Sequence, residues 1–412
     1  MMSSSCNSPS LMAIDDAKTK IFQLIKCVTQ TELIPLEESL DRVLSEKVFS
    51  NINVPGFNNS AMDGYAFRVQ DLIDLKTLNL VGKSFAGHSY PKALGKGECV
   101  RIMTGAAMPD GADTVMMQEN AIVDGEHISF TKIPEHGNDV RLAGESIKKD
   151  SLVGVKGKKL CASDIGLLAT LGCAEVRVYR KLKVALFSTG DELLRAGDTY
   201  QSHKIYDGNR PSIIALLTKL NCEIIDFGIV PDDKTQLRNI MQQADELADC
   251  VITSGGVSVG EADFIKEILA EIGQIDFWKI AIKPGKPLAF GRLPNSIFFG
   301  LPGNPVSAFV TFNQIATDAL KLMSGQELTP PQILRAISTE ILRKQPGRTD
   351  YQRGRCYTDE QGQLLVASTG PQGSGIFSSF ANSNCYIVLE RERGRVQAGE
   401  TVNIQLYDAT LT

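Results

Sequence analysis

Histidine and tryptophan are almost missing from this chain: four His and one Trp stand among 412 residues. No His lies near another His or a Cys, so a zinc site of the usual ligands is not expected. The nine cysteines are odd in number and widely spaced, and no C-x-x-C pair occurs. They read as reduced, mostly buried thiols rather than as a disulfide framework or metal clip. No apolar run approaches the ~18 residues of a membrane helix. The start, "MMSSSCNSPS", lacks the charged residues and apolar stretch of a secretion signal. Runs of one charge are also missing. With 43 basic against 48 acidic residues and a formal net charge of −5, nucleic acid is not expected as the main partner. These absences together point to a cytoplasmic protein, and an anionic substrate would need basic residues gathered locally.

What is present is ordinary globular material, 43% hydrophobic and 22% charged, enough for sizeable cores. At ~150 residues per domain the length suggests about three domains, and the patterning suggests four units. Ile14, Ala17, Ile21, Leu24, Ile25 and Val28 recur at helical spacing, and a second short helix is expected over Leu36 to Glu46. From 51 to 143, short β-like runs such as "ECVRIMTG" alternate with Gly, Pro and Asp turns, as in a mostly β domain inserted into a helical one (12–50 and 144–180). Helical signal returns at "SDIGLLATLG", with Ser163 a candidate cap. From 181 to 327 the rhythm is strand, helix, strand, helix, which predicts an α/β domain with a parallel sheet covered on both faces. It closes with a helix whose Phe312, Ile315, Ala316, Ala319, Leu320 and Met323 form one stripe. Beyond "TPPQ", residues 328–412 read as a small β-barrel or sandwich. The fold class is therefore α/β multidomain.

In open α/β sheets, ligands bind beyond the carboxyl ends of the strands. "KVALFS" ends in "TGDEL", which places Asp191 and Glu192 at that rim. "DCVIT" ends in "SGGVSVGEAD", where Gly255, Gly256 and Gly260 allow close backbone approach and the helix start suits a phosphate. The loop fits neither a P-loop nor G-x-G-x-x-G. "KPGKP" adds Lys283 and Lys286 to Lys279, and "GLPGNPVSA" puts Pro302, Gly303 and Asn304 at a helix start. Taken singly, each has a plainer account: helix-end charges, turns, a cap. Together they favour a phosphate-bearing ligand with a divalent cation held by carboxylates. The stretch "VPGFNNSAMDGYA", Val54 to Ala66, packs Pro, Gly, Asn and Asp-Gly into one loop of defined shape.

The segments "NNSAMDGYA", "RIMTGA", "FSTGDEL", "YDGNR", "SGGVSVGEADF", "KPGKP" and "GLPGNPVSA" resemble those of the molybdopterin molybdenumtransferase family, to which the C-terminal domain of gephyrin is related. The resemblance runs from about 12 to 410, with the motifs in the family's order. It implies that adenylated molybdopterin is hydrolysed with Mg²⁺ while molybdate is inserted, releasing AMP. It also implies a homodimer of four-domain subunits whose cleft lies between the α/β domain of one subunit and the β domain of the other. Carried over onto this sequence, Asp63, Glu192, Asp232 and Asp263 are catalytic carboxylates, the last three also metal ligands. Thr104, Arg141, Gly255, Gly256, Ser258, Lys279, Lys283, Lys286, Pro302 and Pro305 contact substrate. Molybdopterin adenylyltransferase and acceptor molybdoenzymes are implied as transient partners.

Three positions depart from the family's pattern: Ser146 stands where G-E-D is usual, Asn58 where F-D-N-S is, and Gly208 where Ser or Thr is common. A lost cleft carboxylate would weaken metal binding unless Glu145 or Asp150 substitutes. Two other classes stay open at this point. A scaffold like the gephyrin relatives would bind peptide without releasing AMP. The sister adenylyltransferase would turn over ATP without molybdate, although its S-G-G-T-G loop is not what Ser254 to Ser258 reads.

Overall fold

The computed structural model describes residues 11–256, 264–408 and 411. Its first helix, Ile14–Leu24, buries Ile14, Ala17 and Ile21. It ends four residues short of the apolar spacing, which ran to Val28, because Ile25 is already extended. The second helix expected from Leu36 to Glu46 is only a 3₁₀ turn, Leu36–Glu38. Asp41 adopts a left-handed φ of 61°, and Val43 and Leu44 instead form bridges to Lys159 and Val178. Apolar spacing here served β pairing. The Thr31–Pro35 strand pairs antiparallel with Glu175–Tyr179, and Val48–Phe49 pairs with Leu152–Gly154. The chain thus leaves and re-enters one small unit. In that unit Ala162–Thr170 is helical with Cys161, not Ser163, as its N-cap. The Asp164 carboxylate closes the turn by accepting the Cys161 N–H at 3.1 Å.

Between the two passes lies a six-stranded sheet in the order Thr114–Met117, Gly64–Phe67, Glu98–Ile102, Leu78–Ser84, His127–Phe130, Ala121–Asp124. Alternating apolar residues from it (Tyr65, Phe67, Leu78, Cys99, Met116 and Ile128) fill one core.

The α/β unit is built on a six-stranded sheet in the order Glu223–Val230, Lys183–Thr189, Cys250–Ser254, Ile297–Leu301, Pro287–Arg292, Gln274–Lys279. The first four strands run parallel. The last two are antiparallel to their neighbours, so the wholly parallel sheet read from the sequence is corrected to a mixed one. The cause is the tight turn at Leu293–Ser296, closed by a 2.9 Å bond from the Leu293 N–H to the Ser296 carbonyl; so short a link can only fold a strand back beside its neighbour. Helices cover both faces. Leu237, Met241, Ala244, Ile265, Ile268 and Leu269 pack on one. Ile213, Leu216, Leu217 and the closing helix pack on the other, together with the N-terminal helix. All six stripe residues of the closing helix are buried, but it is not regular. Pro305–Thr311 and Thr317–Met323 are α-helical, and a π turn, Phe312–Ala316, joins them. The Arg180 guanidinium, where the chain enters this unit, grips both Asp249 oxygens at 2.7 Å.

The last third closes on itself: Thr349–Thr358, Leu364–Ser368, Ile333–Ser338, Thr401–Leu406 and Cys385–Leu389 pair in turn, and the last returns to the first. This is a five-stranded barrel, which settles the choice left open between barrel and sandwich. The α/β unit lends it two residues, Ile282–Lys283, hydrogen-bonded beside Thr349 and Asp350.

Candidate active site

At the carboxyl ends of the parallel strands lies a cleft of roughly 400 Å³, lined by the loops after Lys183–Thr189, Cys250–Ser254 and Ile297–Leu301. Glu192, Asp232, Gly255, Gly256, Pro302 and Pro305 all line it, as the strand-end rule predicts. No helix begins at Asp191 and Glu192, so the helix-charge account of them does not apply. Asp232 accepts a short hydrogen bond from the Thr189 hydroxyl, and its N–H donates to Asp191 at 3.3 Å. That pairing fixes the loop after Glu223–Val230 against the loop carrying Glu192. Gly255 and Gly256 have φ of 94° and 65°. A Cβ on Gly255 would fall 2.4 Å from the Thr189 carbonyl oxygen, so the crossing of two backbones demands glycine there whatever binds. Ser258 and Asp263 lie outside the described residues.

The lysines expected at this rim do not line the cleft. Lys283 donates to the buried Asp350 carboxylate of the barrel at 3.0 Å. Lys279 and Lys286 are exposed, and neither is among the lining residues. Asn304 precedes its helix but makes no side-chain cap bond; it lines the cleft instead.

Two residues that carry the geometry were not singled out individually. Asp207, 5% exposed, lines the cleft and caps the next helix by accepting the N–H groups of Asn209 and Arg210 at 3.1 Å. The Asn209 amide donates to Ser254 Oγ and to the Gly303 carbonyl, both at 2.8 Å, tying three rim loops together. An Asp-x-Asn spacing at a helix start, just after a strand-like stretch, was the available signal.

Asp63 and Thr104 form a second, separate group beside neighbouring strands of the inserted sheet, Arg141 stands on a short ladder of its own, and none of the three lines the cleft within this chain. One Asp63 oxygen accepts both the Thr104 N–H, at 2.7 Å, and the Thr104 hydroxyl, at 2.8 Å. Arg141 is exposed and pairs across the ladder with Asn59. The departure at Asn58 and the retained Glu145 both have local work. Asn58 accepts the Ala143 N–H at 2.8 Å and Glu145 the Leu142 N–H at 2.9 Å, so Asn58 keeps the acceptor that an Asp would supply. Ser146 is held through its backbone, N–H to the Val54 carbonyl at 2.9 Å.

The Thr104 N–H, and after it the Thr104 hydroxyl, hold the Asp63 carboxyl below its ordinary value, with the Arg101 charge adding to them. Thr104→Val removes the smaller of the two bonds and keeps the larger. The Asp63 titration, followed by carboxyl NMR, is expected to move up but to remain below the ordinary value. A depressed carboxyl stabilises the fold above the ordinary carboxylate range, and that contribution is lost as pH falls through the folded-state pKa. The variant should therefore lose it at a higher pH than the parent. A titration unmoved by the substitution would remove the hydroxyl from the account.

Residues 12–172 match the MoeA N-terminal region (domains I and II), 185–322 the probable molybdopterin binding domain, and 335–407 the MoeA C-terminal region (domain IV). The chain is 49% identical over 403 residues to the molybdopterin molybdenumtransferase of Haemophilus influenzae, covering 97% of this chain and 100% of that one. It is 33% identical to the enzyme of the same name from Nostoc sp., over 95% of this chain and 92% of that one. In structure it is similar to the molybdopterin biosynthesis MoeA protein of Pyrococcus horikoshii OT3, with a TM-score of 0.83 at 28% identity, covering 97% of this chain and all of that one. With the rim cleft, the inserted sheet and the closing barrel in the same order along the whole length, this chain belongs to the molybdopterin molybdenumtransferase family.

Proposed function

We propose that this protein inserts molybdate into adenylated molybdopterin, with Mg²⁺-dependent release of AMP, as a cytoplasmic homodimer whose two clefts are each shared between subunits. The observation that carries this reading is the separation of the acidic residues into two sets. Glu192 and Asp232 line the cleft, whereas Asp63 with Thr104 sits on the inserted sheet, outside it. A second subunit bringing its Asp63 to this rim would unite them. The exposed apolar side chains of Phe49 and Leu152, opposite each other on paired strands, support a surface meant to be covered.

Among the described residues no group of three or more His, Cys, Asp or Glu gathers as a metal site. Glu192 and Asp232 are nonetheless the hard oxygen donors that Mg²⁺ takes one or two at a time, keeping waters for the rest, so the donor chemistry fits. They would hold the ion, which when bound supplies positive charge at the phosphates and a more acidic water. The chain's own residues do the remainder. Thr104 leaves one Asp63 oxygen free to orient or deprotonate the attacking water. Arg141, and from outside the cleft lining the exposed Lys279 and Lys286, attract molybdate and the phosphates. A carboxylate facing the molybdate anion needs such cations nearby, because like charges repel. Transient contact with the adenylyltransferase that supplies the substrate, and with acceptor molybdoenzymes, belongs to the same reading.

The test is AMP release from adenylated molybdopterin with Mg²⁺, with and without molybdate. Release should depend on molybdate and fall by about 100-fold or more in Glu192→Gln. Tight binding without AMP release would replace this reading with a scaffold, and ATP turnover without molybdate with the adenylyltransferase.

A further inference from the structure

Arg101 is a cation with no salt bridge to a carboxylate among the described residues, although its charge reaches Asp63. Its side-chain hydrogen bonds and ring contact are with the frame around Asp63. It lies opposite Tyr65 in the ladder between Glu98–Ile102 and Gly64–Phe67 and folds back over the Tyr65 ring, 5.0 Å from its centroid. From there one guanidinium nitrogen donates to the Gly64 carbonyl at 3.0 Å, and the other donates to Gln118 Oε1. Gly64 follows Asp63 in the chain. Gln118 is the residue whose N–H binds the Asp63 carbonyl, at 3.0 Å. Gly64 also lies so close to the next strand that a Cβ there would fall 2.0 Å from the Met116 carbonyl oxygen. One planar fork therefore grips both segments that fix the Asp63 backbone, while Thr104 fixes its carboxylate.

We infer that Arg101 is a positioning residue for Asp63, acting through the two-pronged grip on Gly64 and Gln118, and rests on the transferase reading given above. Its unpaired charge also offsets the Asp63 carboxylate, so this half-site can face an anionic substrate with less repulsion. Lysine keeps the charge but cannot fork or stack, and that difference separates the grip from the charge alone.

The experiment measures kcat and KM for molybdate-dependent AMP release in Arg101→Lys, Arg101→Met and Gln118→Ala, with thermal midpoints and the Thr104 amide resonance, which reads its bond to Asp63. Both Arg101 variants should lose about 10- to 100-fold in kcat, with KM little changed and the Thr104 resonance displaced. In an Asp63→Asn background neither substitution should cost anything further. Gln118→Ala, at an exposed position, should lower kcat in the same direction without a change in thermal midpoint, which guards against an Arg101 variant that merely misfolds. Full activity in Arg101→Lys, losses that persist beside Asp63→Asn, or an unchanged Gln118→Ala would each overturn the inference. If the parent protein releases no AMP, the transferase reading fails instead, and the Thr104 resonance alone decides: displaced in Arg101→Lys it upholds the grip, unmoved it removes it.

Discussion

An equal mixture of Asp63→Asn and Asp232→Asn subunits, each inactive alone, is expected to regain about a quarter of the parent activity. Each single variant should lose on the order of 100- to 10,000-fold, the range for removing a general base or a group that orients the attacking water. In the proposed homodimer with shared clefts, random reassociation pairs one variant with the other in half of the dimers. In those, one cleft collects both substitutions and its twin collects neither. The basis is geometric: Asp232 lines the rim cleft beside Thr189, whereas Asp63 is bonded to Thr104 on a different sheet. Activity measured before and after reversible dissociation gives the answer. A mixture as inactive as its parts would mean that each chain completes its own cleft.

Gly255→Ala should damage both the fold and the cleft. The residue holds φ at 94°, a region that costs an L-residue roughly 1–2 kcal/mol. Its new methyl would meet the Thr189 carbonyl at 2.4 Å, and that neighbour is backbone in a buried strand, so relief requires the two strand ends to part. Overpacking of this kind adds roughly 1–3 kcal/mol, and the sum should appear as a clear fall in the thermal midpoint. Because Thr189 also holds Asp232, binding of the proposed adenylated substrate should weaken with it. A variant as stable as the parent would show that these loops are softer than their packing implies.

The α/β rhythm was legible because period and punctuation agreed. Apolar runs of strand length ended in Gly, and Leu237, Met241 and Ala244 kept one helical face. Asp191 and Glu192 followed from topology, whereas Asp232 came only with the family resemblance. What was not legible depended on the third dimension. Val43 and Leu44 read as helix because apolar spacing over so few residues does not separate the two periods, and pairing with Lys159 and Val178, more than a hundred positions away, decided the matter. The lysines of "KPGKP" were placed at the rim by the strand before them, yet Lys283 turns to a carboxylate on the barrel that no local pattern could reveal. Arg101 sat inside a quoted motif without a role, since its meaning lies in a carbonyl and an amide from two other segments.

The two residues lent to the barrel, Ile282–Lys283, have a mechanical meaning. A ladder of backbone hydrogen bonds resists stretching far more than a linker does, and here the Lys283–Asp350 pair bolts it at one end. Four positions further along the chain, Pro287 is part of the cleft wall. The barrel is therefore tied to that wall through a short arm, so that a turn of the barrel would load the wall through it.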